Sequence, residues 1–177
     1  AYVTILGVDG DYDYVVQYYT PTFLEIGRAA VGKDTHLSLQ LFDDDLFVPC
    51  QGADAVYVID RFTMGIEKTI PVPGAHGAGM PILGGKFYTT NISGGGTDGI
   101  QVIDIYSQEV IGTVNTPFPV PHNYSVKFNG RKKIYLTHSG ATSDKVSVYK
   151  VTGNSGIPTH ITDITVGLNP FGISPMY

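Results

Sequence analysis

The chain has 177 residues, enough for one domain with a sizeable core but too few for two large ones. It contains 22 glycines and 11 prolines while only 15% of its residues are charged, which is a turn-rich, charge-poor composition. The 42% hydrophobic content argues against disorder, and no apolar run is long enough for a membrane-spanning helix. The net charge of −5, with basic residues scattered except at 131–133, gives no electrostatic basis for nucleic-acid binding.

Cysteine is nearly absent, since Cys50 is the single one in the sequence. A disulfide framework within the chain and a zinc site built from cysteines are therefore excluded. The first residue is Ala1 rather than methionine, so we expect a processed or excised chain.

Alternating apolar residues predict short strands along the whole chain. The N-terminal part predicts three, at 1–5, 11–16 and 22–27. A motif of the form Asp-x-(Val/Ile)-x-Val-(Ile/Tyr) then begins at Asp54, at Asp98 and at Asp144, with spacings of 44 and 46 residues. Each copy follows one apolar segment, such as 46–48, and precedes another, such as 65–70.

Four short antiparallel strands in a repeat of this length are typical of a β-propeller blade. The repeats predict blades at 33–72, 73–116 and 117–165. Residues 166–177 resemble the start of another blade, which residues 1–32 would complete. We therefore expect an all-β chain of four four-stranded antiparallel blades, one of them split between the termini.

Pairing the first and last strands would remove exposed strand edges, and three closures satisfy this condition. The chain is a four-bladed monomer, half of an eight-bladed ring of two chains, or part of a larger propeller completed by a different chain.

The repeat resembles the YVTN-type blade, on the residues Ala75-His-Gly77 to Ile103-Asp104 and Pro121-His-Asn123 to Val148-Tyr149. Similar blades occur in surface-layer-associated proteins, in lactonase-like propellers and in the propellers of nitrous oxide reductase and thiocyanate dehydrogenase. In the last two, histidines that open successive inner strands bind copper. The resemblance is to seven- and eight-bladed rings, so we favour a ring larger than four blades, and hence a homodimer or a second chain that completes the propeller. We expect a secreted, periplasmic or cell-surface location, and it stays open whether the chain is an enzyme.

His36, His76 and His122 each open the innermost segment of a repeat, where equivalent positions face the same central channel. Imidazole is a preferred ligand of copper and zinc, so we expect a metal site, most plausibly copper and redox-active, at these three residues. The fourth equivalent position is Phe171. The alternative is a non-catalytic extracellular or cell-surface propeller that binds a protein or glycan partner and has ordinary channel histidines.

Other candidates have simpler interpretations. Three carboxylates at Asp43 to Asp45 suit calcium, but a solvated hairpin explains them better. Lys33 and Asp34 are interpreted as a solvated loop, and the glycines at 94–96 as a loop without the features of a phosphate site. We expect His138 and His160 to lie at the surface, His160 in a loop beside Pro158, and His138 to be the better spare ligand.

Overall fold

The computed structural model describes residues 1–35, 40–78, 84–92, 99–127 and 132–173. These residues form fifteen strands and one turn of 3₁₀ helix at Gln51–Ala53, which confirms the all-β prediction. None of the helical structure in these ranges is long and apolar enough to cross a membrane.

The strands form four antiparallel sheets. The N-terminal sheet contains β1 (Tyr2–Asp9), β2 (Tyr12–Tyr19) and β3 (Leu24–Val31). The second sheet contains β4 (Gln40–Phe42), β5 (Asp45–Cys50), β6 (Ala55–Asp60) and β7 (Ile66–Pro71). The third sheet contains β8 (Ala75–Ala78), β9 (Lys86–Asn91), β10 (Gly99–Asp104) and β11 (Glu109–Asn115). The fourth sheet contains β12 (Pro121–Lys127), β13 (Lys133–His138), β14 (Lys145–Val151) and β15 (Pro158–Thr165).

The repeated aspartates end strands as well as begin them. Asp60, the last residue of β6, accepts hydrogen bonds from the backbone N–H groups of Phe62 at 3.0 Å and Thr63 at 2.6 Å. A short carboxylate that satisfies turn N–H groups in this way favours a tight connection to the next strand. The hydrogen bonds that the carboxylate of Asp60 accepts therefore end β6 and direct the chain into β7.

The sheets pack in chain order, each against the next, through three buried apolar clusters. The first joins the N-terminal and second sheets and includes Val15, Val31, Leu46 and Val48. The second joins the second and third sheets and includes Phe47, Val58, Phe87 and Ile103. The third joins the third and fourth sheets and includes Tyr88, Ile100, Leu136 and Tyr149. Burial on both faces explains why these strands are rich in apolar residues.

The two sheets at the ends of this row each lack a neighbour on one side. None of the described side chains of β1 is buried, and Val3 and Leu6 are both 45% exposed, whereas the equivalent strands β5 and β9 are almost entirely buried. Tyr135 of the fourth sheet is half-buried, although Tyr88 at the same position of the third sheet is 1% exposed. Among the described residues, none of the three buried apolar clusters joins the N-terminal and fourth sheets.

Candidate functional site

Two of the three predicted channel histidines meet in the structure. His76 is the second residue of β8 and His122 is the second residue of β12, which are the innermost strands of the third and fourth sheets. Their ring centroids lie 4.9 Å apart with an interplanar angle of 70°. Each residue is only 6% exposed. Equivalent positions in neighbouring repeats thus bring two imidazoles together in a largely buried place.

Gly77 makes this close approach sterically feasible. A Cβ at this position would lie 2.5 Å from the carbonyl oxygen of His122 and 2.7 Å from Oγ1 of Thr90. Both distances are shorter than carbon and oxygen tolerate, so a larger residue would push β8 away from β12. The glycine was visible in the sequence as the residue after His76, but the need for it depends on the neighbouring sheet.

Two threonines of β9 hold the backbone of Gly77 on both sides. Its N–H donates to Oγ1 of Thr90 at 2.9 Å, and its carbonyl oxygen accepts from Oγ1 of Thr89 at 2.7 Å. Both threonines are fully buried. A buried polar side chain with a hydrogen-bond partner fixes local geometry, so this pair positions the peptide that follows His76. Sequence reasoning missed these residues, because threonine is also an ordinary strand former.

Asp54 fixes the entry to β8. Its carboxylate accepts from the backbone N–H of Gly74 at 2.7 Å, and its carbonyl oxygen accepts from the N–H of Val72 at 2.8 Å. The second contact recurs after the fourth sheet, where the N–H of Val166 donates to the carbonyl oxygen of Asp144 at 2.8 Å. The chain therefore leaves the second and the fourth sheets by the same local geometry.

Phe171 lies beside His122, as His122 lies beside His76. Its ring centroid is 3.8 Å from that of His122, and Thr137 donates its hydroxyl hydrogen to the carbonyl oxygen of Phe171 at 3.2 Å. An aromatic ring at this distance adds apolar contact to the imidazole and supplies no metal ligand. Phe171 belongs to no strand within the described residues.

His36, the third predicted ligand, lies outside the described residues. Within the described ranges, no group of three or more histidine, cysteine, aspartate or glutamate side chains is arranged to hold a metal ion. What the described part of the site offers is two adjacent imidazoles, whose nitrogens are suitable donors for copper or zinc.

The prediction that His138 lies at the surface is wrong, because this residue ends β13 and is fully buried. Its Nε2 lies 2.8 Å from Oγ of Ser147, which donates to Oδ1 of Asp163 at 2.7 Å. Its Nδ1 lies 3.2 Å from the carbonyl oxygen of Pro119. Since one ring nitrogen has a partner in the fourth sheet and the other has a partner in the segment before β12, His138 is not available as a spare ligand.

His160 is exposed, but the prediction that it lies in a loop is wrong. It belongs to β15, and its Nε2 lies 2.9 Å from Oδ1 of Asp163. The acidic turn is a hairpin between β4 and β5, as expected, and two of its three carboxylates, Asp44 and Asp45, have protein partners. Asp44 pairs with Arg61 at 3.1 Å, and Asp45 accepts from the amide of Gln108 at 3.2 Å.

The remaining candidates offer no reactive group. Cys50 is fully buried, and burial raises the pKa of its thiol far above the ordinary value, so a nucleophilic thiolate is not formed. Lys33 is exposed and Asp34 is partly so, consistent with a loop. The glycines at 94–96 lie outside the described residues.

No protein-family model and no curated protein matches the sequence. Solved structures do match. Hydrazine synthase of Kuenenia stuttgartiensis is 19% identical, with a TM-score of 0.73 over 92% of this chain and 48% of that one. The 6-phosphogluconolactonase-like proteins of Bacteroides uniformis and Bacteroides fragilis are 16% and 15% identical, with TM-scores of 0.69 and 0.64 over 94% of this chain.

The chain spans about half the length of each of these structures, since it covers 48%, 54% and 55% of them. At such identities the likeness concerns the fold alone, and it supports a β-propeller. The YVTN-type resemblance and the resemblance to nitrous oxide reductase stay predictions.

Proposed function

We propose that the chain is part of a β-propeller whose inner-strand histidines bind a copper ion near the central channel. The observation that carries this proposal is the contact between His76 and His122, with ring centroids 4.9 Å apart. Imidazoles on adjacent inner strands are placed to share one ion, and imidazole nitrogen suits copper.

Two imidazoles leave a copper site short of ligands. His36 is the predicted third ligand, from the same position of the preceding repeat. Copper would give the chain a redox-active centre, and the same donors would also accept zinc. Calcium fits less well, because it needs oxygen ligands, and Asp44 and Asp45 of the acidic hairpin already have protein partners.

The proposal includes the split blade, formed by residues 166–177 together with 1–32. Two features support it. The contact of Val166 with Asp144 repeats that of Val72 with Asp54, and Phe171 lies against His122 at the place of the next inner strand. Because none of the buried apolar clusters among the described residues joins the N-terminal and fourth sheets, we favour completion of the ring by a second copy of the chain.

The second candidate is a non-catalytic propeller at the cell surface or outside the cell that binds a protein or glycan. Exposed aromatic side chains on the N-terminal sheet favour it, since Tyr12 and Tyr19 are 54% and 53% exposed. Exposed tyrosines are common in binding faces because they offer large apolar area with a polar tip.

Metal titration of protein purified without added metal separates the two candidates. For the copper site we expect a saturable stoichiometry near one ion, and His76→Ala and His122→Ala should each weaken affinity by about tenfold or more. The matched control is His160→Ala, which removes an exposed imidazole on β15, at the opposite edge of the fourth sheet from β12, and should leave affinity unchanged.

Copper and zinc contents that stay below about 0.3 equivalents, unaffected by His76→Ala, would instead favour the partner-binding propeller.

The pH dependence of metal affinity is a second test. Imidazole must be neutral to bind metal, so affinity should fall as the pH drops below about 6.5. Affinity that stays constant between pH 7.5 and 5 would indicate oxygen ligands.

A further inference from the structure

One pair of positions recurs in the three four-stranded sheets with different charges. The first residue of the second strand lies opposite the last acidic or basic residue of the third strand. This register pair is Asp45 with Asp60 in the second sheet, Lys86 with Asp104 in the third and Lys133 with Lys150 in the fourth.

In the third sheet the pair is a salt bridge that also supports a turn. Nζ of Lys86 lies 2.7 Å from Oδ2 of Asp104, and Oδ1 of Asp104 accepts from the N–H groups of Tyr106 and Ser107, both at 2.9 Å. The hydrogen bond from Lys86 is the main cause that lowers the pKa of Asp104 to about 2. The pair thus joins two strands and caps the connection to a third.

The fourth sheet has neither this salt bridge nor these turn hydrogen bonds at the equivalent pair. Lys133 and Lys150 are opposed in register, and Lys127 of β12 is the register partner of Lys133 on its other side. Like charges directly opposite each other destabilise a sheet. In the described part of the chain, no side-chain hydrogen bond or ion pair engages Lys133 or Lys150. A lysine side chain cannot accept hydrogen bonds from turn N–H groups. In the fourth sheet the third strand continues to Val151, and a longer connection at 152–157 follows.

These lysines line a groove of about 550 Å³. Lys132 also lines it, and Nζ of Lys132 lies near Gly84, just before β9, where a Cβ would be 3.1 Å away. The other described lining residues include Ile161, which is 45% exposed, and no carboxylate. Three lysines and an exposed apolar side chain therefore line one concave surface on a chain whose net charge is −5.

From this arrangement we infer that the groove binds a small organic molecule through a phosphoryl group. A phosphoryl dianion offsets the repulsion between Lys133 and Lys150 better than a single carboxylate does, because it carries more charge and more acceptor oxygens. Lysine serves as a point charge for phosphate, and the groove has the size of ordinary small-molecule sites. Ile161, which is 45% exposed, offers apolar contact to the organic part of such a ligand.

Calorimetric titration of the metal-free protein with inorganic pyrophosphate tests the charged half of the site. We expect saturable binding that weakens as ionic strength rises, with acetate binding at least about tenfold more weakly. Glycerol 3-phosphate, which adds an organic part, should bind more tightly than inorganic phosphate, because Ile161 adds apolar contact.

Lys150→Asp recreates the charge pair of the third sheet. It should abolish pyrophosphate binding and raise the melting temperature in phosphate-free buffer, because attraction replaces repulsion. The control is Lys68→Asp, an equal charge change at a lysine of β7 whose side chain donates to the carbonyl oxygen of Ser107. It should leave pyrophosphate affinity within about twofold.

The inference is overturned if pyrophosphate shows no saturable binding below about 10 mM, or if Lys68→Asp weakens binding as much as Lys150→Asp does. Should Lys150→Asp fail to fold, Lys150→Ser removes one ammonium without adding a carboxylate. Unchanged affinity in a folded Lys150→Ser variant would equally overturn the site. Because metal is absent throughout, neither result depends on the histidine site.

Discussion

Asp13 shows how one buried carboxylate can connect three segments of the chain. The residue is 2% exposed and lies in β2. Its Oδ1 accepts from the N–H of Gly7 at 2.9 Å, and its Oδ2 accepts from the N–H groups of Asp34 at 2.6 Å and Thr35 at 3.1 Å. The carboxylate therefore ties β1 and β2 to the backbone that leads into the second sheet.

We expect Asp13→Asn to lower the free energy of unfolding by about 1–3 kcal/mol, since the amide replaces a charged acceptor of buried N–H groups. Burial alone would raise the pKa of Asp13, but the backbone hydrogen bonds from Gly7, Thr35 and Asp34 lower it overall. A lowered carboxyl pKa adds stability above about pH 4 that is lost as the pH falls further. Denaturant titrations at pH 7 and pH 3 should show a smaller difference between the two pH values for the variant than for the wild type.

Gly77 offers a second test at the residue scale. Gly77→Ala should separate β8 from β12, because its Cβ would lie 2.5 Å from the carbonyl oxygen of His122. We expect a loss of about 1–3 kcal/mol in unfolding free energy and weaker copper binding, measured by thermal melting and metal titration. Gly10→Ala is the control, since a Cβ there meets nothing within 4 Å. Equal effects of both substitutions would mean that Gly77 has no special steric role.

At the scale of elements, the fourth sheet is crossed by a polar chain from His138 of β13 through Ser147 of β14 to Asp163 of β15. Ser147 is fully buried, so its hydroxyl replaces solvent as the partner of both neighbours. Hydrogen bonds between side chains on three strands complement the backbone ladder and fix which faces the side chains occupy.

Ser147→Ala should lower the free energy of unfolding by about 1–3 kcal/mol, because it leaves a buried imidazole nitrogen and a carboxylate oxygen without their shared partner. Chemical denaturation measures the loss. The control is Ser107→Ala, an exposed serine in the turn before β11, which should change stability by less than about 0.5 kcal/mol. Indistinguishable stabilities for the two variants would contradict a structural role of the polar chain.

The strands were predictable because their signal is local. The motif starting at Asp54 alternates apolar residues and ends in an aspartate turn, and β6 indeed covers Ala55–Asp60. The meeting of His76 with His122 follows from the same register in adjacent repeats. The burial of His138 was not predictable in this way, because it depends on Ser147 and Asp163 in two other strands. The opposition of Lys133 and Lys150 likewise becomes visible only once β13 and β14 are paired.

At the scale of the whole molecule, the uncovered face of the N-terminal sheet is the most consequential feature. The described side chains of β1 are half-buried or exposed, while the equivalent strands of two later sheets are almost entirely buried between neighbours. Each internal face of this fold is covered by the next sheet, so we expect the same of this one.

Light scattering over a range of concentrations tests association of two copies. We expect a mass of about twice the 19.0 kDa of one chain, and Val3→Lys should reduce it to one chain mass because it places a charge on the uncovered face. Ile111→Lys on β11 is the control, since Ile111 is 42% exposed and lies on an outer strand. A single-chain mass at every concentration would refute the dimer.

The register pair that differs in charge among the three four-stranded sheets has an evolutionary consequence. A chain built from repeats carries several copies of each structural position, and every sheet depends mainly on its immediate neighbours. Two copies can therefore carry like-charged pairs, Asp45 with Asp60 and Lys133 with Lys150, while the shared apolar clusters keep the molecule folded. The salt bridge of Lys86 with Asp104 occupies this position in the third sheet, so the position is free to differ in charge from sheet to sheet. New recognition chemistry can in this way arise from a few substitutions in one repeat, without altering the apolar layers that the repeats share.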